Sequence, residues 1–416
     1  MTGSTGVARL LGDLAGIGRD RLRGGYSRFT YTRDDLLLRE WFTAQAGQRS
    51  LDLETDRNGI VWAWRPGRDG SLADAVVTGS HLDSVPGGGA FDGPLGIASA
   101  FAAIDLLDER GLLGPAGPGG GRPLGVALFP EEEGSRFGLA CLASRLMTGA
   151  ISPDRARALT DADGVRYAQA AAAVGLDPGR LGPDDARLAR IAAFVELHVE
   201  QGRGLVHSGY PVGVGTAVFG HGRWRITVDG EGNHAGTTPM SDRRDPLVAA
   251  SAIVLAVRRL ARAVDGARAT VGRMTPVPGG TNVIASRVDL WLDVRHEDDQ
   301  ATADLVGRIS AAAAELAAAD GCTATVTEES ASPGVRFDPG LTAEAAQVLG
   351  GVPRLPTGAG HDAGVLAPRV PATMLFVRNP TGVSHAPQEY AEDADCEAGA
   401  RALADVLGHL LARPGN

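Results

Sequence analysis

The chain has 416 residues and a formal net charge of −10, enough for two domains with real cores and the wrong sign for a nucleic-acid partner, which needs a basic face. Hydrophobic residues make up 44% and charged residues 22%, which argues against wholesale disorder, and no apolar run reaches membrane-spanning length. Three widely separated cysteines, Cys141, Cys322 and Cys396, offer neither a disulfide framework nor a thiolate zinc site and read as small buried side chains. The first residues, MTGSTGVARLLGDLAG, lack a basic start and a long apolar core, so no signal peptide is read and a soluble cytoplasmic protein is expected.

In chain order, residues 5–24 and 33–48 read as helices, with Leu10, Leu11, Leu14 and Ile17 on one face of the first. Leu51–Trp64 reads as two strands around a tight turn at Arg57-Asn58-Gly59. The apolar run Ala75–Val77 starts a strand that leads into GSHLDSVPGGGAFDGPLG at 79–96. In an extended segment His81 and Asp83 share a face, as a metal-bound imidazole and an orienting carboxylate should. Gly87, Gly88 and Gly89 let the chain fold back, so that Asp92 can return to an ion held by His81. A helix at 94–110 follows, then a flexible loop at 114–123 and an apolar strand at 124–129 that ends in Glu131-Glu132-Glu133. Three acids at the mouth of a buried strand need a cation or a shared proton. FVELHVEQG at 194–202 places His198 between Glu196 and Glu200 on a further strand with one buried face.

The texture changes after residue 210. A strand at 222–228, a helix at 246–264, strands at 269–273 and 288–294, a helix at 302–319 and a strand at 323–328 form a split βαβ arrangement of four strands and two helices. The chain therefore reads as an α/β, mixed-sheet domain from 1–212 and 329–416, with an α+β, ferredoxin-like domain inserted at 213–328. The last part holds a strand at 372–377 and a helix at 393–412.

His81, Asp92, Glu132 or Glu133, His198 and His385 are imidazoles and carboxylates at strand ends or in loops. Nitrogen and oxygen donors without thiolate suit Zn²⁺, Mn²⁺, Co²⁺ or Ni²⁺. Two such ions bridged by a carboxylate can hold a hydroxide and polarise a carbonyl. There is no GxxxxGK[ST], no GxGxxG placed between a strand and a helix, no HExxH and no GxSxG, and GAGHDAG at 358–364 resembles a nucleotide loop only superficially because it does not follow an apolar strand. Taken singly, each feature has a plainer reading: an HxD pair is more often a strand end with a surface histidine, and an acidic run a solvated edge.

Eight motifs in order, GSHLDSVPGGGAFDGPLG, EEEGSRFG, ELHVEQG, NHAGTTPM, GGTNVIAS, DVRH, GAGHDA and GVSHAP, resemble the metal-dependent amidohydrolases of the N-carbamoyl-L-amino acid hydrolase and allantoate amidohydrolase group, from about Gly24 to the last helix. That group lies within the aminoacylase and carboxypeptidase-like dinuclear hydrolases. The resemblance implies two divalent ions, zinc first among them, held by His81, Asp92, Glu133, His198 and His385, with Asp92 bridging. It implies that Glu132 is the general base toward the bridging water and that Asp83 orients His81. It further implies that the inserted domain is a lid and dimerisation domain, and that His234 reaches the partner subunit's site to stabilise the oxyanion. Arg295 would clamp a substrate carboxylate, and Gln201, Asn282 and the Gly360 backbone would add neutral hydrogen bonds.

Histidine at 198 marks the ureido-cleaving group, since related exopeptidases usually carry a carboxylate there. Ala90, Phe91 and Pro94 depart from the usual residues around Asp92, and His221 and Gly222 sit in a variable region, which leaves the substrate pocket open. Alone, Arg295 would be a surface residue and His234 a loop histidine. His207 and His409 read as structural or solvated, and His361 as a group that could stand behind the ligands. The expected reaction is hydrolysis of a linear C–N bond in a carboxylate-bearing ureide or amide by a homodimer. The alternatives are an aminoacylase or dipeptidase, and a silent binding protein on the same scaffold.

Overall fold

The computed structural model describes residues 6–113 and 121–413, so 114–120 of the expected loop at 114–123 lie outside the described residues, as does residue 5 of the first expected helix. The chain forms two compact units, Met1–Ala217 with Arg336–Asn416, and Val218–Val335.

Strands β1 (Asp52–Thr55), β2 (Val61–Arg65), β3 (Ala75–His81), β4 (Leu124–Phe129), β5 (Ile191–Val199) and β6 (Val212–Val218) precede the second unit. That unit holds β7 (Gly220–Asp229), β8 (Asn233–His234), β9 (Arg268–Val277), β10 (Val283–Ile284), β11 (Arg287–His296) and β12 (Thr323–Ser332). The chain then returns through β13 (Val335–Arg336), β14 (Arg354–Thr357) and β15 (Ala372–Val377).

The first unit is built on a nine-stranded mixed sheet of order β1-β2-β4-β3-β5-β15-β6-β13, with β14 on β6. Its middle, β4-β3-β5-β15, is parallel. β2 joins β4 antiparallel on one flank, and β6 joins β15 antiparallel on the other. Every residue of β3, β4 and β15 is buried, as parallel strands covered on both faces require; β4 is wholly apolar, whereas β3 passes from Ala75-Val76-Val77 to the polar Thr78, Ser80 and His81. One face packs against the helices Pro94–Glu109 and Asp393–Leu411 through Ile97, Phe101, Leu403 and Leu407. On the other lie short helices, among them Asp362–Leu366 against β5 and β15.

Three local expectations change. The first helix runs only from Val7 to Leu14: Gly18 takes φ +69°, and the buried Arg28 guanidinium takes up the carbonyls of Leu14 and Ile17. β5 lies at the sheet centre, and Glu196 and His198 are both buried; the reading of one buried face underestimated it because its polar residues point into the core. The helices Leu142–Thr148, Pro153–Ala158 and Tyr167–Ala173 had no counterpart in the sequence reading, since one or two turns are too short for a 3.6-residue period to register.

The second unit has an antiparallel sheet of order β12-β7-β11-β9. On β7, Trp224, Ile226 and Val228 point inward, against the helices Pro246–Arg262 and Asp299–Ala319. β8 and β10 form a separate two-stranded ribbon. The unit begins and ends later than the expected 213 and 328, because β6 pairs with β15 of the first unit and β12 continues to Ser332. Among the described residues no helix is long and apolar enough to cross a membrane.

Candidate metal centre

Four parallel strands that point the same way bring their carboxyl ends to one edge, where open α/β sheets hold their ligands. His81 is the last residue of β3, Glu131-Glu132-Glu133 follow β4, His198 is the penultimate residue of β5, and the loop after β15 carries Ser384 and His385. Asp92 comes back through the glycine loop. Gly93 then lies against the His81 ring with φ +84°, and a Cβ there would stand 2.4 Å from His81 Cε1, so only glycine fits.

The two oxygens of Asp92 face different groups. Oδ1 is 3.2 Å from His198 Nε2 and 3.5 Å from His81 Nε2. Oδ2 is 3.5 Å from His385 Nε2, which in turn is 3.3 Å from Glu133 Oε2. His81, Asp92 and His198 form one set able to hold a cation, and Asp92, Glu133 and His385 another, with donor atoms in each within 4.8 Å of one another. Gln201 Nε2 donates to Asp92 Oδ2 at 2.9 Å, and the Ser384 hydroxyl does so at 3.1 Å. Glu132 belongs to neither set; its Oε2 lies 3.7 Å from His81 Nε2, and its Oε1 accepts from the Cys141 thiol at 3.3 Å.

Each central imidazole is aimed by its other nitrogen. His198 Nδ1 meets the Val199 carbonyl at 2.9 Å and His81 Nδ1 the Asp83 carbonyl at 3.0 Å, which turns both Nε2 atoms to the centre. The sequence reading gave the orienting role to the Asp83 carboxylate. That carboxylate stands 3.6 Å from His81 and accepts from the main-chain N–H groups of Glu132 and Glu133 at 3.3 and 3.1 Å. Asp83 lies past the end of β3, so its side chain turns to the neighbouring strand-end loop.

The donor set fits divalent ions. His81 Nε2, His198 Nε2 and Glu133 Oε1 are buried without a hydrogen-bond partner, although buried polar atoms nearly always have one. A cation between imidazoles and carboxylates supplies it. Without ions the acids are strained: burial, then neighbouring negative charge, pushes Glu132 and Glu133 well above the usual carboxyl range. Burial also opposes the Asp92 charge, yet His198 and His81 hold that carboxyl well below its ordinary range.

Two further acids lie near the centre: Glu131, expected only as part of the acidic run and without a role of its own, and Glu389, which the sequence does not mark. Glu389 Oε1 accepts from the N–H groups of Phe91 and Asp92 at 3.0 and 2.9 Å and so fixes the Asp92 loop. Glu131 accepts from the Arg136 and Phe137 N–H groups. Burial, then the charge of Asp92 or Asp83 respectively, raises each to about 7. Glu389, four residues after His385, carries no periodic signal that would mark it.

These shifts set a pH dependence for the metal-free protein. A carboxyl raised from 4.5 to about 7 stays protonated in the fold while the unfolded chain ionises. Its contribution is therefore intact below about 4.5 and is lost as pH rises to about 7, at up to about 1.4 kcal/mol per pH unit per group. His81 and His198, also raised, act in the same direction. Ion binding needs deprotonated ligands and so strengthens over that range. The Tm difference between metal-loaded and chelator-treated protein should thus widen from pH 5 to pH 8; a constant or shrinking gap would count against this account.

The residues expected to bind substrate divide between the units. Gln201 is at the centre, and Gly360 is an exposed residue next to His361. In the second unit Asn282 O accepts from Ala235 N–H at 3.0 Å, beside His234 on the β8–β10 ribbon. This ribbon adjoins the Arg287 end of β11, where Gly230 N–H meets Ser286 O. Arg295 is near the opposite end of β11, paired with Asp293 at 2.8 Å.

Comparison with known proteins agrees along nearly the whole chain. The model of peptidase family M20/M25/M40 matches residues 77–409. An N-carbamoyl-L-amino acid amidohydrolase of Geobacillus stearothermophilus is 35% identical over 93% of this chain and 94% of its own. An allantoate amidohydrolase of Bacillus subtilis is 35% identical over 93% of each. The crystal structure of a hydantoinase/carbamoylase-family amidase from Burkholderia multivorans superimposes with a TM-score of 0.86 at 32% identity, covering 98% of each chain. Hydrolases of this family use divalent metals, in keeping with the two donor sets. The protein belongs to peptidase family M20/M25/M40 and is a hydrolase of the amidohydrolase group that includes these relatives.

Proposed function

We propose that the enzyme hydrolyses a linear C–N bond in a carboxylate-bearing ureide or amide of the N-carbamoyl-L-amino acid or allantoate type. The observation that carries this reading is Asp92, whose two oxygens each serve a separate cation-binding set with the unligated Glu132 alongside. His81, Asp92 and His198 would hold one ion and Asp92, Glu133 and His385 the other. Zinc suits these donors best, and manganese, cobalt and nickel are accepted by the same atoms. When bound, the pair supplies an acidified water and a polarised carbonyl.

Glu132 takes the proton from the attacking water, with its Oε1 held by the Cys141 thiol and its Oε2 turned toward His81. It returns that proton to the leaving nitrogen as the C–N bond breaks. From an N-carbamoyl amino acid the products are the amino acid, carbon dioxide and ammonia. His234 donates to the carbonyl oxygen as negative charge develops there. Arg295 forks onto the substrate carboxylate in exchange for Asp293, and Gln201, Asn282 and Gly360 add neutral hydrogen bonds.

The ferredoxin-like second unit acts in this reading as lid and dimerisation domain. Its own geometry supports a shared site. Arg287 and Arg295 are eight residues apart on β11, roughly 27 Å of extended chain, with His234 at one end and Arg295 at the other. One small substrate cannot touch both from a single copy, so Arg295 would act with His234 of the partner subunit.

Mixed dimers test this. Glu132→Gln and His234→Ala should each be nearly inactive alone. Co-expressed, they should regain about a quarter of wild-type ammonia release per chain, because about half of randomly paired dimers are mixed and each mixed dimer carries one intact site. Absence of any recovery in purified mixed dimers would mean that both groups serve from one chain.

A further inference from the structure

We propose that Cys141 is a positioning residue for Glu132: its thiol occupies one carboxylate oxygen, so that the other alone receives and returns the proton. This rests on the amidohydrolase reading, with Glu132 as its base, and deepens it. Cys141 is only 2% exposed, and its Sγ lies 3.3 Å from Glu132 Oε1. Among the described residues this thiol is the one side-chain donor to the Glu132 carboxylate. Glu132 Oε2 is the oxygen left for the centre, 3.7 Å from His81 Nε2.

The backbone on both sides of the thiol is latched to the acidic run and its neighbours. Cys141 N–H donates to the Glu132 carbonyl at 2.7 Å, and Leu142 N–H to the Glu131 carbonyl at 3.0 Å. The Cys141 carbonyl accepts from the Ser144 hydroxyl at 3.1 Å, and that hydroxyl also lies 2.5 Å from Asp362 Oδ1. Cys141 takes φ +55°, a left-handed conformation that disfavours any residue with a Cβ. Glycine would fit there without strain but would bring no donor. Cys141 also precedes the helix Leu142–Thr148, yet its side chain makes no capping bond, because the sulfur is turned to Glu132.

A thiol suits this task because it donates one weak hydrogen bond and stays protonated. Burial, then the charge of Glu132, pushes it well above its ordinary range, so the sulfur keeps its proton throughout. A carboxylate free to turn presents either oxygen to the water, and a proton taken on the outer one must be carried round before it can be returned. With Oε1 accepting from S–H, one proton leaves the water for Oε2. It passes from Oε2 to the leaving nitrogen as the C–N bond breaks, which restores the carboxylate and leaves the thiol unchanged. Orientation of a reacting group acts on the rate of the chemical step, so its loss falls on kcat.

Kinetics of ammonia release from an N-carbamoyl amino acid, with metal content measured on the same samples, test this. Cys141→Ala should lower kcat about 3- to 10-fold with KM and both ions unchanged. Cys141→Ser, which keeps a donor on the same Cβ, should recover most of that loss. In a Glu132→Gln background Cys141→Ala should cost nothing further, since no proton-accepting oxygen is left to orient. Should Cys141→Ala not fold, Cys141→Gly, unstrained at this backbone angle, takes its place. An unchanged kcat in Cys141→Ala would overturn the proposal, as would loss of an ion or a serine variant no better than alanine. The same fold-loss in the Glu132→Gln background would also overturn it, because Cys141 would then act through packing. Failure of the underlying reading looks different: Glu132→Gln itself would stay active with Cys141 intact.

Discussion

Glutamine in place of Glu132 is expected to lower kcat by about 10²- to 10⁴-fold while both metal ions stay bound. Glu132 is buried at the centre yet outside both cation-binding sets, so its carboxylate is spare for proton transfer. Glutamine keeps the volume and can keep the Cys141 contact through its carbonyl oxygen. It loses the oxygen that would accept a proton from water. Burial drives this carboxyl upward in the absence of ions. Two cations close by would pull it back toward ionisation, which lets a deeply buried acid work as a base near neutrality. The check is ammonia release together with metal content by atomic emission on one sample. Activity within about 10-fold of wild type, or an ion lost, would remove Glu132 from the role of base.

Removal of the Asp92 carboxylate should have an effect of another kind. Asp92→Ala is expected to bind neither ion after gel filtration and to fall to background turnover, whereas His385→Ala should lose mainly the ion held with Glu133. The reason is the split of Oδ1 and Oδ2 between the two sets. Removing one shared carboxylate takes a donor from both, and it leaves His81 and His198 facing each other with no negative charge between them. Metal-to-protein ratios of the two variants decide the matter. Two ions still held by Asp92→Ala would mean that the sets are not joined through this residue.

Much of the first unit is legible in the chain because its central strands are buried on both faces. β4 and β15 are runs of six apolar or small residues between turn signals, and their bounds follow from composition alone. The expected ligands are equally visible, since each sits at a strand end or beside glycines where side chains must leave the core. The edge strands run longer than the expected 269–273 and 323–328: β9 and β12 carry Thr275-Pro276 and Glu328-Glu329-Ser330, and only pairing with β11 and β7 keeps such polar stretches extended.

By itself, the sequence determined the alternation of strands and helices, the identity of the imidazoles and carboxylates, and the order in which they reach one edge of a sheet. Tertiary structure alone decided which oxygen of Asp92 faces which histidine, that Asp83 holds the Glu132–Glu133 backbone while its carbonyl aims His81, and that Glu389 clamps the Asp92 loop. These are choices among hydrogen-bond partners nearly 300 residues apart in the case of Glu389 and Asp92. Local propensity does not act over such separations. A carboxylate buried at a strand end takes whichever N–H groups the packed loops present, and those become neighbours only when the parallel strands close side by side.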